Sequence, residues 1–394
     1  MDTRLTIRQI CFTFLFLSIS SIFNYIPNVA VQNAGGSGYV SVIYSCVLLL
    51  VYAALILQVI KAYPDKNIYE VLQTIFGTFI AKVIVFLYAC WAYLFVVVKI
   101  GAYSVTLQAT LMPSIHPGIL LTVLFLLVIY TLTKNPRTIF RFSEFLYQPI
   151  LIFLAILVLF AVPSMNWNEL VPVDAADLKN NFYTIPDICA IGGNLCFLLF
   201  FSKELLYSGI ESIVRKRVYN TIVVFSIISA LSIIVSVGMN GATSTGKLSY
   251  PMFQAIKSVS VLNTFERFDS LMTMIAMLSD FVGVYVFLQL TMLCLGWLFN
   301  YQEKEETPLL STGSKEKCHM NNSLKVYGCA LFFIAAVYIL IRNMTQYEFE
   351  AYYRGIQRYL NLIFQFIVPI ILGLISIIVN LRDASNHSTE SMKD

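Results

Sequence analysis

Two stretches of this chain put hydrogen-bonding groups into surroundings that are otherwise apolar. Ser20-Ser21-Ile22-Phe23-Asn24-Tyr25-Ile26-Pro27 sets an imino acid and an amide inside one apolar run. Ala190-Ile191-Gly192-Gly193-Asn194 sets a glycine pair beside a second amide in another. Pro27 cannot donate to a helical ladder, and Asn24 can bond the backbone groups that such a break frees. A helix interrupted in this way offers unpaired N–H groups and a positive dipole end to an anion, and unwound carbonyls to a cation. That chemistry suits a zwitterion, with a half-helix end taking the carboxylate and Ser20, Asn24, Asn194 and the unwound carbonyls accepting from the ammonium. Phe23, Tyr25, Tyr103 and Tyr285 could wall the ligand's side chain, although any one aromatic among 30 Phe and 23 Tyr is more often packing than binding surface.

Two charges also sit inside apolar runs. Lys99 lies in Val96-Val-Val-Lys-Ile-Gly-Ala-Tyr103 and Asp280 in Met277-Leu-Ser-Asp-Phe281. Each costs about 2.5–3.5 kcal/mol at mid-helix on insertion scales unless partnered. Counted at 1.5 Å per residue, their depths agree to within one lysine side chain. One expectation is a pair beside the pocket, across the third and eighth spans. The other is that Lys99 snorkels outward while Asp280 lines a water-filled cavity. Glu266, Arg267 and Asp269 mark the outer mouth of the eighth span, where first-turn acids complement the helix dipole. His116, His319 and His387 all fall in loops, and the eight cysteines form no CxxC pair. Without a Ser-His-Asp set, an HExxH pair or a phosphate-cradling glycine loop, the residues supply no catalytic set, no metal site and no cofactor site.

The elements that hold these residues are transmembrane helices. Of 394 residues 58% are apolar and only 12% charged, about half the charged share of a soluble domain. The apolar runs are continuous, which excludes the alternating strands of a barrel. Ten spans are expected, near residues 8–33, 38–60, 79–109, 117–133, 143–162, 185–202, 218–239, 267–299, 325–342 and 359–381. With the N-terminus inside, eighteen of the 26 Lys and Arg fall in inner segments and seven in outer loops, so both termini are expected in the cytoplasm. The net charge of +4 gives no reason to expect nucleic acid. Ten spans divide five plus five, which makes the second half cross in the opposite sense. Spans one and six then occupy equivalent positions of an inverted repeat, residues 1–162 and 185–382, and both are broken. The expected architecture is an all-α polytopic membrane protein, one transmembrane domain over 1–382, with a polar cytoplasmic loop at 301–324 and a cytoplasmic tail at 383–394. The outer stretches 163–184 and 240–266 could form a rim or lid.

A series of local patterns resembles one known family. Leu5-Thr-Ile-Arg-Gln9, Pro27 and the small-residue turn before Tyr39 come first. Tyr63-Pro-Asp-Lys-Asn-Ile-Tyr-Glu70 with Ile75-Phe-Gly77 follows, then Glu169-Leu-Val-Pro172. Tyr250-Pro-Met-Phe-Gln254 with Lys257 leads to Glu266-Arg-Phe-Asp-Ser270, the most specific block. In this order, from residue 5 to about 300, the chain resembles the B subunits of spore germination receptors, the endospore germination permeases of the amino acid-polyamine-organocation superfamily. It departs in having Met274-Ile-Ala-Met-Leu278 where a Trp is common, and Asn194 where some members carry an acid. The resemblance implies a membrane subunit in the spore inner membrane, working beside an A subunit and a lipoprotein C subunit. It further implies that the chain binds a small germinant, commonly an amino acid, and catalyses nothing. The alternative is a secondary transporter carrying an amino acid with a proton or sodium ion, for which Asp280 could be a proton site; a third reading is a scaffold that binds nothing.

Overall fold

The computed structural model describes residues 5–64, 66–110, 137–171, 179–202, 211–258, 268–299 and 358–390, with Gly355 and scattered positions between 114 and 130. The chain is an all-α polytopic membrane protein, with no strand among the described residues. Eight helices there are long and apolar enough to cross a membrane, and they coincide with eight of the ten expected spans. The expected spans at 117–133 and 325–342 fall largely or wholly outside the described residues, as does the loop 301–324.

The contacts group the chain into two compact units. The first holds Met1–Asp65, Arg137–Val282 and Arg358–Asp394; the second holds Lys66–Pro136 and Gly283–Gln357.

In the first unit, helix α1 (Ile7–Asn24) starts at a capping box. Thr6 Oγ1 accepts the Gln9 N–H, and Gln9 Oε1 accepts the Thr6 N–H at 3.2 Å. After Tyr25 the chain resumes as α2 (Ile26–Ala34), with Pro27 in the first turn, where a missing N–H is harmless. A turn at Gly35, whose φ of 58° favours glycine, leads to α3 (Val40–Ala62). Helix α3 is apolar all round and divides its faces. Val42, Leu49, Tyr52, Ala53 and Ile56 are buried against protein, whereas Ile43, Val47, Leu48 and Val51 are exposed, as a lipid-facing stripe is. Helix α1 has no such stripe and is buried from Ile10 to Phe23 almost without interruption, packed by α5 (Arg137–Ala161) and α8 (Glu211–Asn240). An ion pair between Arg8 and Glu144 ties α1 to α5.

The sixth span is composite. A 3-10 turn, Asn181–Thr184, precedes α6 (Ile185–Gly192); a second 3-10 turn, Gly193–Cys196, separates α6 from α7 (Phe197–Phe200). After α8 the chain forms α9 (Ala242–Thr245) and α10 (Pro251–Lys257), and α11 (Phe268–Leu298) forms the eighth span. The last span begins as α12 (Arg358–Asn361), widens into a π turn over Leu362–Ile367 and continues as α13 (Val368–Glu390). The polar segment expected as a tail from 383 is therefore helical as far as Glu390.

In the second unit, α4 (Ile68–Thr110) is bent at Gly77, whose φ of 81° no L side chain adopts easily. The bend sets a short first segment apart from the span proper. Farther along, Trp91 and Phe95 pack on Phe287 with ring centroids 5.3 and 3.6 Å apart, and Tyr69 stacks on Trp297.

Candidate functional site

The break in the first span follows from Pro27. Its ring nitrogen cannot bond the carbonyl of Phe23, four residues back. Ser232 of α8 donates to the neighbouring carbonyl of Ile22 at 3.0 Å, so a side chain from another helix serves backbone at this point. Tyr25 is the residue between the two helices, with φ −100° and ψ −49°. The side chain of Asn24, beside it, is half-buried and makes no hydrogen bond among the described residues.

From this break the Tyr25 hydroxyl reaches the sixth span and donates to Asp187 Oδ1 at 2.8 Å. Asp187 lies in the first turn of α6, only 1% exposed. Arg358, the first residue of α12, brings Nε to 2.8 Å from the same carboxylate oxygen in an ion-pair contact. The other oxygen, Oδ2, is buried and has no partner among the described residues.

Seven residues along both helices the pattern repeats with neutral groups. Asn194 Oδ1 accepts from Gln365 Nε2 at 2.8 Å, and Gln365 sits inside the π turn of the last span. Seven residues are about two helical turns, so 187 and 194 share a face, and the sixth and last spans run side by side in the same direction. The widened turn lets the Gln365 backbone lie directly against Gly193. A Cβ built on Gly193 would meet Gln365 Cβ at 2.9 Å and its carbonyl oxygen at 3.0 Å. One on Gly192 would meet the Leu49 methyls at 2.6 Å. Tyr52 of α3 places its single hydroxyl proton between the carbonyls of Gly193, at 3.1 Å, and Gln365. Gln365 Oε1 is a second buried acceptor without a partner among the described residues.

The structure brings Tyr25 and the 191–194 segment into one compact unit. Neighbouring helices approach the glycine pair closely. Ile191 and Asn194 are buried, and Asn194 is engaged by Gln365. Ser20 lies deeper, its Oγ donating to Asp280 Oδ2 at 2.9 Å and its N–H to Ser279 Oγ at 3.1 Å. In the second unit Lys99 is buried with its ammonium 5.9 Å from the Phe95 ring centroid, Tyr103 is half-buried, and Tyr285 is buried with its hydroxyl unpartnered among the described residues. Glu266, Arg267 and the side chain of Asp269 lie outside the described residues.

Sequence reasoning missed Asp187, Arg358, Gln365 and Tyr52. Asp187 and Arg358 did carry a signal, since each is a charge at the edge of an apolar run, one acidic and one basic. Arg358 read as an ordinary outer-loop base. Gln365 and Tyr52 carried none, because a single amide or phenol in an apolar helix does not reveal its partner.

Comparison with known proteins agrees with this architecture. Residues 4–312 match the model of the spore permease family, described as spore germination protein. The spore germination protein KB of Bacillus subtilis (strain 168) is 20% identical over 396 aligned residues, which cover 99% of each chain. With its helices of membrane-spanning length and this match over most of its residues, the chain is an integral membrane protein belonging to the spore germination protein family.

Proposed function

We propose that the chain is the ligand-sensing membrane subunit of a nutrient-germinant receptor. It takes a small germinant, an amino acid, at the interrupted segments of its first and sixth spans and passes the resulting change to an A subunit and a lipoprotein C subunit in the spore inner membrane. The observation that carries this reading is the polar contact from the break of the first span to the sixth span, where the half-buried Tyr25 bonds the buried Asp187 in the first turn of α6. A chain that only scaffolded its neighbours would gain more from an apolar contact here, since a buried carboxylate such as Asp187 is costly to place. Family membership supports a role in germination, and the full-length match to a germination protein supports the same task for the whole chain.

The test is the germination dose-response of spores carrying Asn24→Ala or Asn194→Ala, with the subunit quantified in the inner membrane. Loss of one buried hydrogen bond of about 1–3 kcal/mol shifts the half-maximal germinant concentration about five- to hundredfold. Normal subunit levels with an unchanged dose-response in both variants would place the ligand elsewhere.

A further inference from the structure

Among the described residues only Asp187 and Asp280 are buried carboxylates, and they are used differently. Asp280 is engaged by Ser20, whereas Asp187 has one oxygen taken by Tyr25 and Arg358 and the other without a donor among the described residues. Buried acceptors in folded proteins are nearly always satisfied, so an orphan carboxylate oxygen marks a place where a donor arrives. Arg358 complements it. Its side chain remains 29% exposed, and its contact to Asp187 runs through Nε. The terminal NH2 groups have no acceptor among the described residues, and a guanidinium presents its five donors in a fixed fork.

We propose that the Asp187–Arg358 pair reads both charges of a free α-amino acid: Asp187 Oδ2 accepts from the α-ammonium, and the terminal guanidinium N–H groups of Arg358 donate to the α-carboxylate. This deepens the germinant-binding reading and rests on it. The pair is neutral as a whole, so by itself it adds no net charge to the membrane interior. A zwitterion also adds none, while offering a donor to Asp187 Oδ2 and acceptors to the terminal N–H groups of Arg358. A blocked amine cannot supply the ammonium and a blocked acid cannot supply the carboxylate, so neither is read. The Tyr25 bond to Oδ1 fixes the rotation of the carboxylate and ties occupancy of the site to the joint of the first span. Seven residues on, Asn194 lies two turns along the same face.

The experiment uses the full chain in lipid nanodiscs. Thermal unfolding is followed with each of the twenty amino acids at millimolar concentration. Every amino acid that stabilises the protein is then compared with its N-acetyl derivative and its amide, in the parent and in Asp187→Asn, Arg358→Gln, Asn24→Ala and Asn194→Ala. The expected result is that the parent binds both derivatives at least about tenfold more weakly than the free amino acid. Asp187→Asn is expected to weaken the free amino acid by about ten- to hundredfold and to lose discrimination against the N-acetyl form, and Arg358→Gln to lose discrimination against the amide. The derivative series on the parent decides the question even if a variant does not fold. Derivatives that bind as well as the free amino acid overturn the assignment. So do Asp187→Asn and Arg358→Gln proteins that keep parental affinity and selectivity while Asn24→Ala and Asn194→Ala weaken binding, although that outcome leaves the broken-helix site standing. Absence of stabilisation by any amino acid removes the germinant-binding reading and this inference with it.

Discussion

The hydroxyl of Ser279, on α11, accepts the N–H of Ser20 at 3.1 Å and donates to the carbonyl of Phe16 at 2.7 Å. In an uninterrupted α-helix those two backbone groups are each other's partners, one turn apart. A side chain from the eighth span therefore bridges the ladder of the first, and the neighbouring Asp280 takes the Ser20 hydroxyl at 2.9 Å.

This arrangement makes Ser20 and Asp280 energetically coupled. Ser20→Ala and Asp280→Asn are each expected to lower unfolding stability in detergent, and the double variant to lose less than their sum. The coupling expected for a buried hydrogen bond to a carboxylate is about 1.5–3 kcal/mol. Additive losses in chemical denaturation would show that the 2.9 Å contact carries no coupling.

Gly193→Val is expected to act on packing before it acts on ligand. Its Cβ would collide with Gln365 on the last span, where backbone as well as side chain stands in the way. Overpacking of this kind costs about 1–3 kcal/mol. The measurement is the amount of folded protein recovered from membranes together with its melting temperature. A variant with parental yield and melting temperature would contradict the close approach of these helices.

The Asn194–Gln365 bond predicts an asymmetric pattern. Gln365→Leu strands the buried Asn194 Oδ1 and should destabilise by about 1–3 kcal/mol, whereas Asn194→Leu combined with Gln365→Leu should recover part of that loss. Equilibrium unfolding of the single and double variants reads the difference directly. Equal stability of the single and double variants would mean that no penalty for a stranded acceptor exists there.

Topology is accessible to labelling. In a cysteine-free background, Lys247→Cys, at an exposed position of the outer stretch, should react with an impermeant thiol reagent applied from outside, and Lys315→Cys should not. The eighteen-to-seven division of basic residues motivates this orientation. Reaction at 315 with protection at 247 would invert it.

Eight spans were legible in the sequence because a hydrocarbon layer demands long apolar runs and their ends collect polar residues. The interruption at Tyr25 was legible for a similarly local reason, since Pro27 forbids one hydrogen bond whatever surrounds it. What the glycine pair does was not legible. Gly192 and Gly193 are consistent with space for a ligand or space for a helix, and nothing local in the sequence reveals that Leu49 and Gln365 stand against them. The π turn at Leu362–Ile367 leaves no compositional trace in its apolar run, so the placement of Gln365 is a tertiary result. The same holds for Asp187 and Arg358, separated by 171 positions in sequence and joined by 2.8 Å in space.

The side-chain amide nitrogen of Asn28, on α2, lies within 3.4 Å of three carbonyls of the stretch after α8, those of Thr245, Gly246 and Leu248, and Gln32 one turn later donates to Gly246 as well. Mechanically, that stretch is a clasp, because it is bonded to α8 as well: Thr245 Oγ1 donates to the Ser236 carbonyl at 2.9 Å, and Asn240 Nδ2 donates to the Pro251 carbonyl at 2.9 Å. A tilt of α2 at the half-buried Tyr25 would have to strain these bonds, so the clasp holds α2 against α8 beyond the break in the first span.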